Sequence, residues 1–340
     1  MAKRVYVAYT GGTIGMLPSS GGYEPGPGYL KEQVETILNI KKDSVPEVDI
    51  EEYNSLIDSA NMSPNHWVEL AEDIASKYYQ YDGFVVLHGT DTMSYTASAL
   101  SFMLQGINKP IVFTGSQIPI SQVRNDAWNN LITAILIAAN YKIPEVCLYF
   151  GGQLLRGCRS VKSKADQLDA FTSPNYPALA QVGVDIRVKW SNVLSTPDKE
   201  FQLVRFKDYS IGTIKFFPGI SADVVKNIMQ PPLKGLVIEA YGMGNGPDQN
   251  KKLVNVFKEA NERGVILLAC TQSLQGTVNL KTYTAGSVFN EAGFVGGADM
   301  TIEAALAKLY YLFSMDYSSS EIKEKIKINI CGELTDKGLL

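Results

Sequence analysis

Histidine is scarce in this chain: His66 and His88 are the whole supply in 340 residues. A histidine-based catalytic triad or a His-rich metal site has little to work with. Cysteine is nearly as sparse. Cys147, Cys158, Cys270 and Cys331 form no Cys-x-x-Cys, and Cys147 and Cys270 lie in apolar runs where a buried free thiol is expected. No stretch approaches the ~18 uninterrupted apolar residues of a membrane-crossing helix. The richest, Leu131–Asn140, reads as a buried helix. Met1-Ala2-Lys3-Arg4 has the charge of a signal-peptide start, but Val5–Tyr9 is too short for its apolar core. With 31 Lys and Arg against 35 Asp and Glu, the net charge of −4 argues against a strong sequence-independent grip on nucleic acid. The expectation is a cytoplasmic protein without metal, nucleic-acid or membrane partners.

What is present is a series of apolar runs that end in glycine and a hydroxyl. Val5–Tyr9 runs into Thr10-Gly11-Gly12-Thr13-Ile14-Gly15, and Gly83–Leu87 runs into His88-Gly89-Thr90-Asp91-Thr92. Ile111–Phe113 followed by Thr114-Gly115-Ser116-Gln117 repeats the pattern. β-branched and aromatic residues favour strands, and glycine stops them where a backbone could approach a ligand. Val48–Ile57 is a further strand candidate, followed by Asp58 and Ser59. Helical periods at 65–79, 94–104 and 126–140 alternate with these strands, which implies right-handed crossovers and a mainly parallel sheet. Ligands of such sheets sit beyond the carboxyl ends of the strands. Pro18–Gly28 is dense in proline and glycine and predicts an irregular, mobile loop near Thr13. Within it Tyr23 is either a proton-sharing lid residue or an aromatic peg.

At this length two domains are expected. Ser, Asn, Pro and Asp cluster near Trp190–Lys199, so the domains are placed at 1–190 and 212–340, joined by a 191–211 linker. The fold class is α/β in both: a larger N-terminal, mainly parallel sheet flanked by helices, and a smaller C-terminal α/β domain. The latter has strand candidates at 213–217, 236–240 and 265–270, and ends in helices at 301–314 and 319–329.

Thr13, Thr90, Asp91 and a lysine meeting in one cleft would have a defined chemistry. A threonine hydroxyl is a poor nucleophile until a base takes its proton. His88, within an apolar strand, reads as a satisfied core residue. A desolvated lysine can act as the base, with a carboxylate orienting it. Lys162 and Lys164 both stand in a run that otherwise reads as a solvated face. Two hydroxyls suit a two-step acyl transfer, with backbone N–H groups at the glycine turns holding the oxyanion. Asp91 and Ser59 could receive the ammonium and carboxylate of a small zwitterion carrying an amide.

Over essentially its full length the chain resembles the cytoplasmic, type I bacterial L-asparaginases. The resemblance rests on Ala8–Met16, Tyr81–Met93, Pro218–Val225 and Gly296–Thr301. It implies Thr13 as nucleophile, Tyr23 as its lid partner, and Thr90, Asp91 and Lys162 as the relay, and it selects Lys162 over Lys164. It further implies Asp58, Ser59 and Ser116, with Thr90 and Asp91, as contacts to the substrate L-asparagine. Asn245 would be lent by a neighbouring subunit of a homodimer or homotetramer, and no cofactor would be needed.

Three other readings compete. The glutamine amidase subunit of a tRNA-dependent amidotransferase shares the threonine runs but carries an extra N-terminal β domain, whereas here the first run starts at Val5. A non-catalytic amino-acid binding protein needs no lysine relay. A nicotinamide dehydrogenase suits the fold class, yet Gly11-Gly12-Thr13-Ile14-Gly15 is not Gly-x-Gly-x-x-Gly.

Some type I members bind a second asparagine through an arginine, a threonine and a cysteine, where this chain has Glu239, Val161 and Ser273. An anionic side chain in place of a cationic one reverses the electrostatics toward a carboxylate. The hypothesis is that this allosteric response is absent, so asparagine hydrolysis should rise hyperbolically with substrate. A Hill coefficient well above one would refute it.

Overall fold

The structure, a computed structural model, describes residues 3–40, 46–280 and 284–336. The chain divides into two compact units between Leu203 and Val204, inside the stretch expected as a linker.

The first unit opens with β1 (Arg4–Tyr9), then β2 (Met16–Ser19) and β3 (Gly22–Pro25), α1 (Tyr29–Ile40) and β4 (Glu47–Glu52). Next come α2 (Pro64–Lys77), β5 (Gly83–Leu87), α3 (Met93–Met103), β6 (Leu104–Gln105), β7 (Ile111–Thr114) and α4 (Ala127–Asn140). The remainder is short strands: β8 (Val146–Phe150), β9 (Gln153–Arg156), β10 (Val161–Lys162), β11 (Phe171–Thr172), β12 (Ala180–Val182), β13 (Ile186–Val188) and β14 (Gln202–Leu203). An eight-stranded sheet runs in the order β13-β12-β9-β8-β7-β5-β1-β4. Its five strands from β8 to β4 are parallel, and β9, β12 and β13 form an antiparallel edge.

Every residue of β5, β7 and β8 is buried, as expected of parallel strands covered on both faces. Side chains alternate, so Val85 and Leu87 of β5 join the core on the α4 side, with Leu131, Ala134 and Ile135. Gly83 is required beneath α4, because a Cβ there would lie 2.1 Å from Ala138 O.

Two expectations fail here. Residues 16–25 are not an irregular loop but the hairpin β2–β3, pairing Met16 with Pro25 and Pro18 with Tyr23. Proline is tolerated because the ribbon is two-stranded and each proline can face its missing N–H away from the partner. The strand expected over 48–57 ends at Glu52, and Asp58 caps a short 3-10 turn, Ser59–Asn61. The chain from Trp190 to Leu203 runs with the first unit, where β14 pairs with β6.

The second unit contains β15 (Ile211–Lys215), α5 (Ala222–Ile228), β16 (Gly235–Ala240), α6 (Lys251–Glu262) and β17 (Ile266–Thr271). It ends with α7 (Thr284–Glu291), β18 (Phe294–Gly296), α8 (Ile302–Ser314) and α9 (Ser319–Lys325). Its parallel sheet, β15-β16-β17-β18, separates two cores. Leu236, Ile238 and Leu267 face the α6 side, whereas Val237, Ile266 and Leu268 face α8 and α9. The fully buried Lys308 donates to Ile326 O, Ile328 O and Glu333 Oε1 at 2.7, 2.7 and 2.6 Å, tying the C-terminal segment to α8.

In the first unit the corresponding buried pair is Glu145 and Arg156, 2% and 4% exposed. Glu145 also accepts from Leu194 N, and Arg156 donates to Asn192 O. Removing one partner strands a buried charge, so Arg156→Met should cost about 3–5 kcal/mol and lower the urea midpoint. A loss below about 1 kcal/mol would mean that the pair is hydrated in solution.

Candidate active site

The carboxyl ends of β1, β5 and β7 lie side by side, and each carries one of the glycine-hydroxyl runs. Thr10 closes β1 by donating its N–H and its hydroxyl to Leu87 O, at 3.1 and 2.9 Å. Gly11 and Gly12 follow with φ of 122° and 91°, in the region that disfavours side chains. A Cβ on Gly12 would lie 2.4 Å from Gly89 N, and one on Gly89 would lie 2.5 Å from Ser59 Oγ. The backbones of the two threonine runs are therefore in direct contact. Thr13 starts the 3-10 turn Thr13–Gly15 and is partly exposed. Its hydroxyl makes no hydrogen bond to any described residue.

Behind the second run, His88 is fully accounted for. Its Nδ1 lies 2.7 Å from Gly89 O and its Nε2 lies 2.9 Å from Thr96 Oγ1, which also accepts from Trp67 Nε1. A carbonyl on one side fixes Nδ1 as the donor, which leaves Nε2 to accept from Thr96. The neutral ring is thus a structural prop beneath Gly89 and Thr90. Burial pushes its pKa down to about 4.

Lys162 arrives on β10, 72 residues after Thr90. Its Nζ lies 2.9 Å from Thr90 Oγ1 and 2.6 Å from Asp91 Oδ1. Lys164 instead pairs with Asp169 on the surface. Because Asp91 is 64% exposed, the ion pair adds less than about 1 kcal/mol to stability, and its contribution is geometric.

The other expected site residues divide. Ser59 is buried under Gly89, and its carbonyl accepts from Thr92 Oγ1 at 2.7 Å. Asp58 is exposed and accepts from Ala60 N. Ser116 is buried, with its hydroxyl donating to Ile118 O at 2.7 Å. Tyr23 sits on β3, half exposed, and makes no hydrogen bond to Thr13. Asn245 belongs to the second unit, where it closes a tight turn by exchanging backbone bonds with Tyr241 at 2.8 and 2.9 Å. Two residues at the site went unassigned. Gln117 Oε1 lies 3.1 Å from Thr90 Oγ1, and Asp126 fixes its loop by accepting from the N–H groups of Gln117 and Ile118. The only sequence signal for Gln117 was that it closes the third strand–glycine run.

Among the described residues, no group of three or more His, Cys, Asp or Glu side chains could hold a metal ion. No helix among the described residues is long and apolar enough to cross a membrane. Residues 4–194 match the family model described as "Asparaginase, N-terminal", and residues 210–325 that described as "Glutaminase/Asparaginase C-terminal domain". The chain belongs to the asparaginase family. Over 335 residues it is 46% identical to L-asparaginase 1 of Escherichia coli (strain K12), covering 98% of each chain. Among solved structures it is similar to L-asparaginase I from Vibrio cholerae, with a TM-score of 0.91, 44% identity, and coverage of 99% and 100%. The thermostable L-asparaginase from Thermococcus kodakarensis follows at 0.88 and 32%, with 98% and 100% covered.

In this asparaginase-family chain His88 gives a clean test of burial at the site. An unfolded imidazole takes a proton near pH 6.5, whereas the folded one resists until about pH 4. The stability contribution is complete above about pH 6.5 and is lost as the pH falls toward 4, by up to about 3 kcal/mol. Imidazole NMR titration with acid unfolding curves should show both effects. A ring that titrates near 6.5 in the folded protein would mean the turn is open to water.

Proposed function

We propose that this protein hydrolyses L-asparagine to L-aspartate and ammonia through an acyl-enzyme on Thr13. The observation that carries the reading is Lys162 Nζ held between Thr90 Oγ1 and Asp91 Oδ1 beside the Thr13 turn. The relatives from Escherichia coli, Vibrio cholerae and Thermococcus kodakarensis described above are L-asparaginases, which agrees with it.

Thr13 Oγ attacks the side-chain amide carbon, its proton leaves with the amide nitrogen as ammonia, and the C–N bond breaks. A water then attacks the acyl carbon, the bond from that carbon to Thr13 Oγ1 breaks, and Thr13 regains a proton through the lysine relay as L-aspartate leaves. Thr90 takes the water's proton while passing its own to Lys162, and Asp91 keeps the lysine aligned. Backbone N–H groups of the glycine turns hold the oxyanion, each typically contributing about 2.7–4 kcal/mol. Tyr23 approaches Thr13 from the β2–β3 hairpin. Asp58, Ser59, Ser116 and Asp91 receive the charged ends of the amino acid. Asn245 comes from a partner subunit, in a homodimer or homotetramer of the cytoplasm. No cofactor takes part. The preference for asparagine over glutamine is limited, since one methylene is worth only ~1–3 kcal/mol in a pocket.

Ammonia release from L-asparagine and L-glutamine is the test, on wild type and on Thr13→Ala, Thr90→Val and Lys162→Met. Wild type should prefer asparagine, and each folded variant should lose at least about 10²–10⁴-fold in kcat. If wild type releases ammonia from neither amide, the hydrolase reading fails.

A further inference from the structure

The orientation of the Gln117 amide follows from its partners. Nε2 donates to Ala165 O and Gln167 O at 3.0 and 3.1 Å, and a carbonyl can only accept. Oε1 must then face Thr90 Oγ1, 3.1 Å away. An amide oxygen cannot donate, so the one hydroxyl proton of Thr90 lies on this bond. The same Thr90 oxygen accepts from Lys162 Nζ, whose other bond goes to Asp91. The support beneath Gln117 is firm. Asp126 takes the N–H groups of Gln117 and Ile118, both at 3.0 Å, and Asn130 donates to Asp126 and to Gly115 O.

We infer that Gln117 is a positioning residue for the Thr90–Lys162 relay. While Lys162 is an ammonium, Gln117 holds the Thr90 proton and turns an oxygen lone pair toward the lysine. When Lys162 is an amine, the proton moves from Thr90 Oγ1 to Nζ, and a proton from water replaces it on Thr90. That incoming proton returns to the Oε1 acceptor, so Thr90 is never left as a bare alkoxide. The Nε2 bonds meanwhile fasten residues 165 and 167, which lie between Lys162 and its strand partner Phe171, to the turn after β7. This inference rests on the roles proposed above for Thr90 and Lys162.

A double-mutant cycle on asparagine hydrolysis tests it, under single-turnover conditions that keep slow variants measurable. Gln117→Leu should lower the rate about 10–100-fold with the asparagine concentration for half-maximal rate within about threefold. In the Thr90→Val background the same change should cost less than about threefold, because the group it acts through is gone. Equal losses in both backgrounds, or no loss in wild type, would overturn the inference. Gln117→Glu, which keeps an acceptor but adds a charge next to the ammonium, should move the rising limb of the rate–pH profile to higher pH. An unmoved limb would equally count against it, even if Gln117→Leu fails to fold. Failure of wild type to hydrolyse asparagine, or a Thr90→Val variant as fast as wild type, would instead sink the function proposed above.

Discussion

Backbone against backbone, without a Cβ between, is the contact on which the site depends. Gly12 lies against Gly89, Gly11 against Ile57 and Gly115 against His88 O, while Gly89 itself packs on the Ser59 side chain. At each place an added Cβ would come within 2.4–2.5 Å of the neighbour. Four loops that leave a parallel sheet at separate strands are thereby drawn closer than side chains would allow. Hydrogen bonds finish the alignment: Thr10 to Leu87 O, Ile57 N to Thr10 O, and His88 N to Thr114 O. A sheet spaces its strands at roughly 4.8 Å, so neighbouring strand ends are already adjacent. The glycines convert that adjacency into a common floor from which Thr13 and Thr90 rise.

Above this floor the polar groups are few and heavily constrained. Neutral His88 supports the turn from below, and Thr96 and Trp67 complete its hydrogen bonds. Lys162 and Asp91 carry their charges at the top, in reach of water, and the Asp126 carboxylate below is satisfied by three N–H donors. The separation matters because an ionised group in the buried layer would carry a desolvation cost, whereas at the mouth it stays available for proton transfer.

Much of this was legible in the chain itself. Apolar runs ending in Gly-Thr located Thr13 and Thr90, and their alternation with helical periods indicated parallel strands whose carboxyl ends share an edge. Local chemistry failed where tertiary pairing decides. The Pro- and Gly-rich stretch at 18–28 forms a hairpin up to Pro25 because Met16–Ser19 supplies a partner, a fact no propensity contains. Gln117 stayed unassigned because its meaning comes from Thr90, Ala165 and Gln167, none of them a sequence neighbour. Lys162 was selected by family likeness, since spacing alone could not separate it from Lys164.

The delivery of Lys162 shows why spacing was insufficient. β8 runs toward the site edge of the sheet, the chain reverses at Gly151–Gly152, and β9 carries it back until Arg156 lies opposite Cys147. There the buried Glu145–Arg156 pair anchors it at the end of the sheet away from the site. Six residues then lead to Lys162, the first three of them in the 3-10 turn Gly157–Arg159. The return path is closely fitted: a Cβ on Gly157 would lie 2.9 Å from Val146 O, and Ser160 Oγ donates to Gly157 O at 2.7 Å while lying 3.2 Å from Ser94 Oγ near the start of α3. Since α3 begins directly after Thr92, the Ser160–Ser94 contact brings the chain to the end of the helix where Thr90 and Asp91 wait. The lysine's position is therefore a property of a strand reversal and a helix start, which only the folded topology brings together.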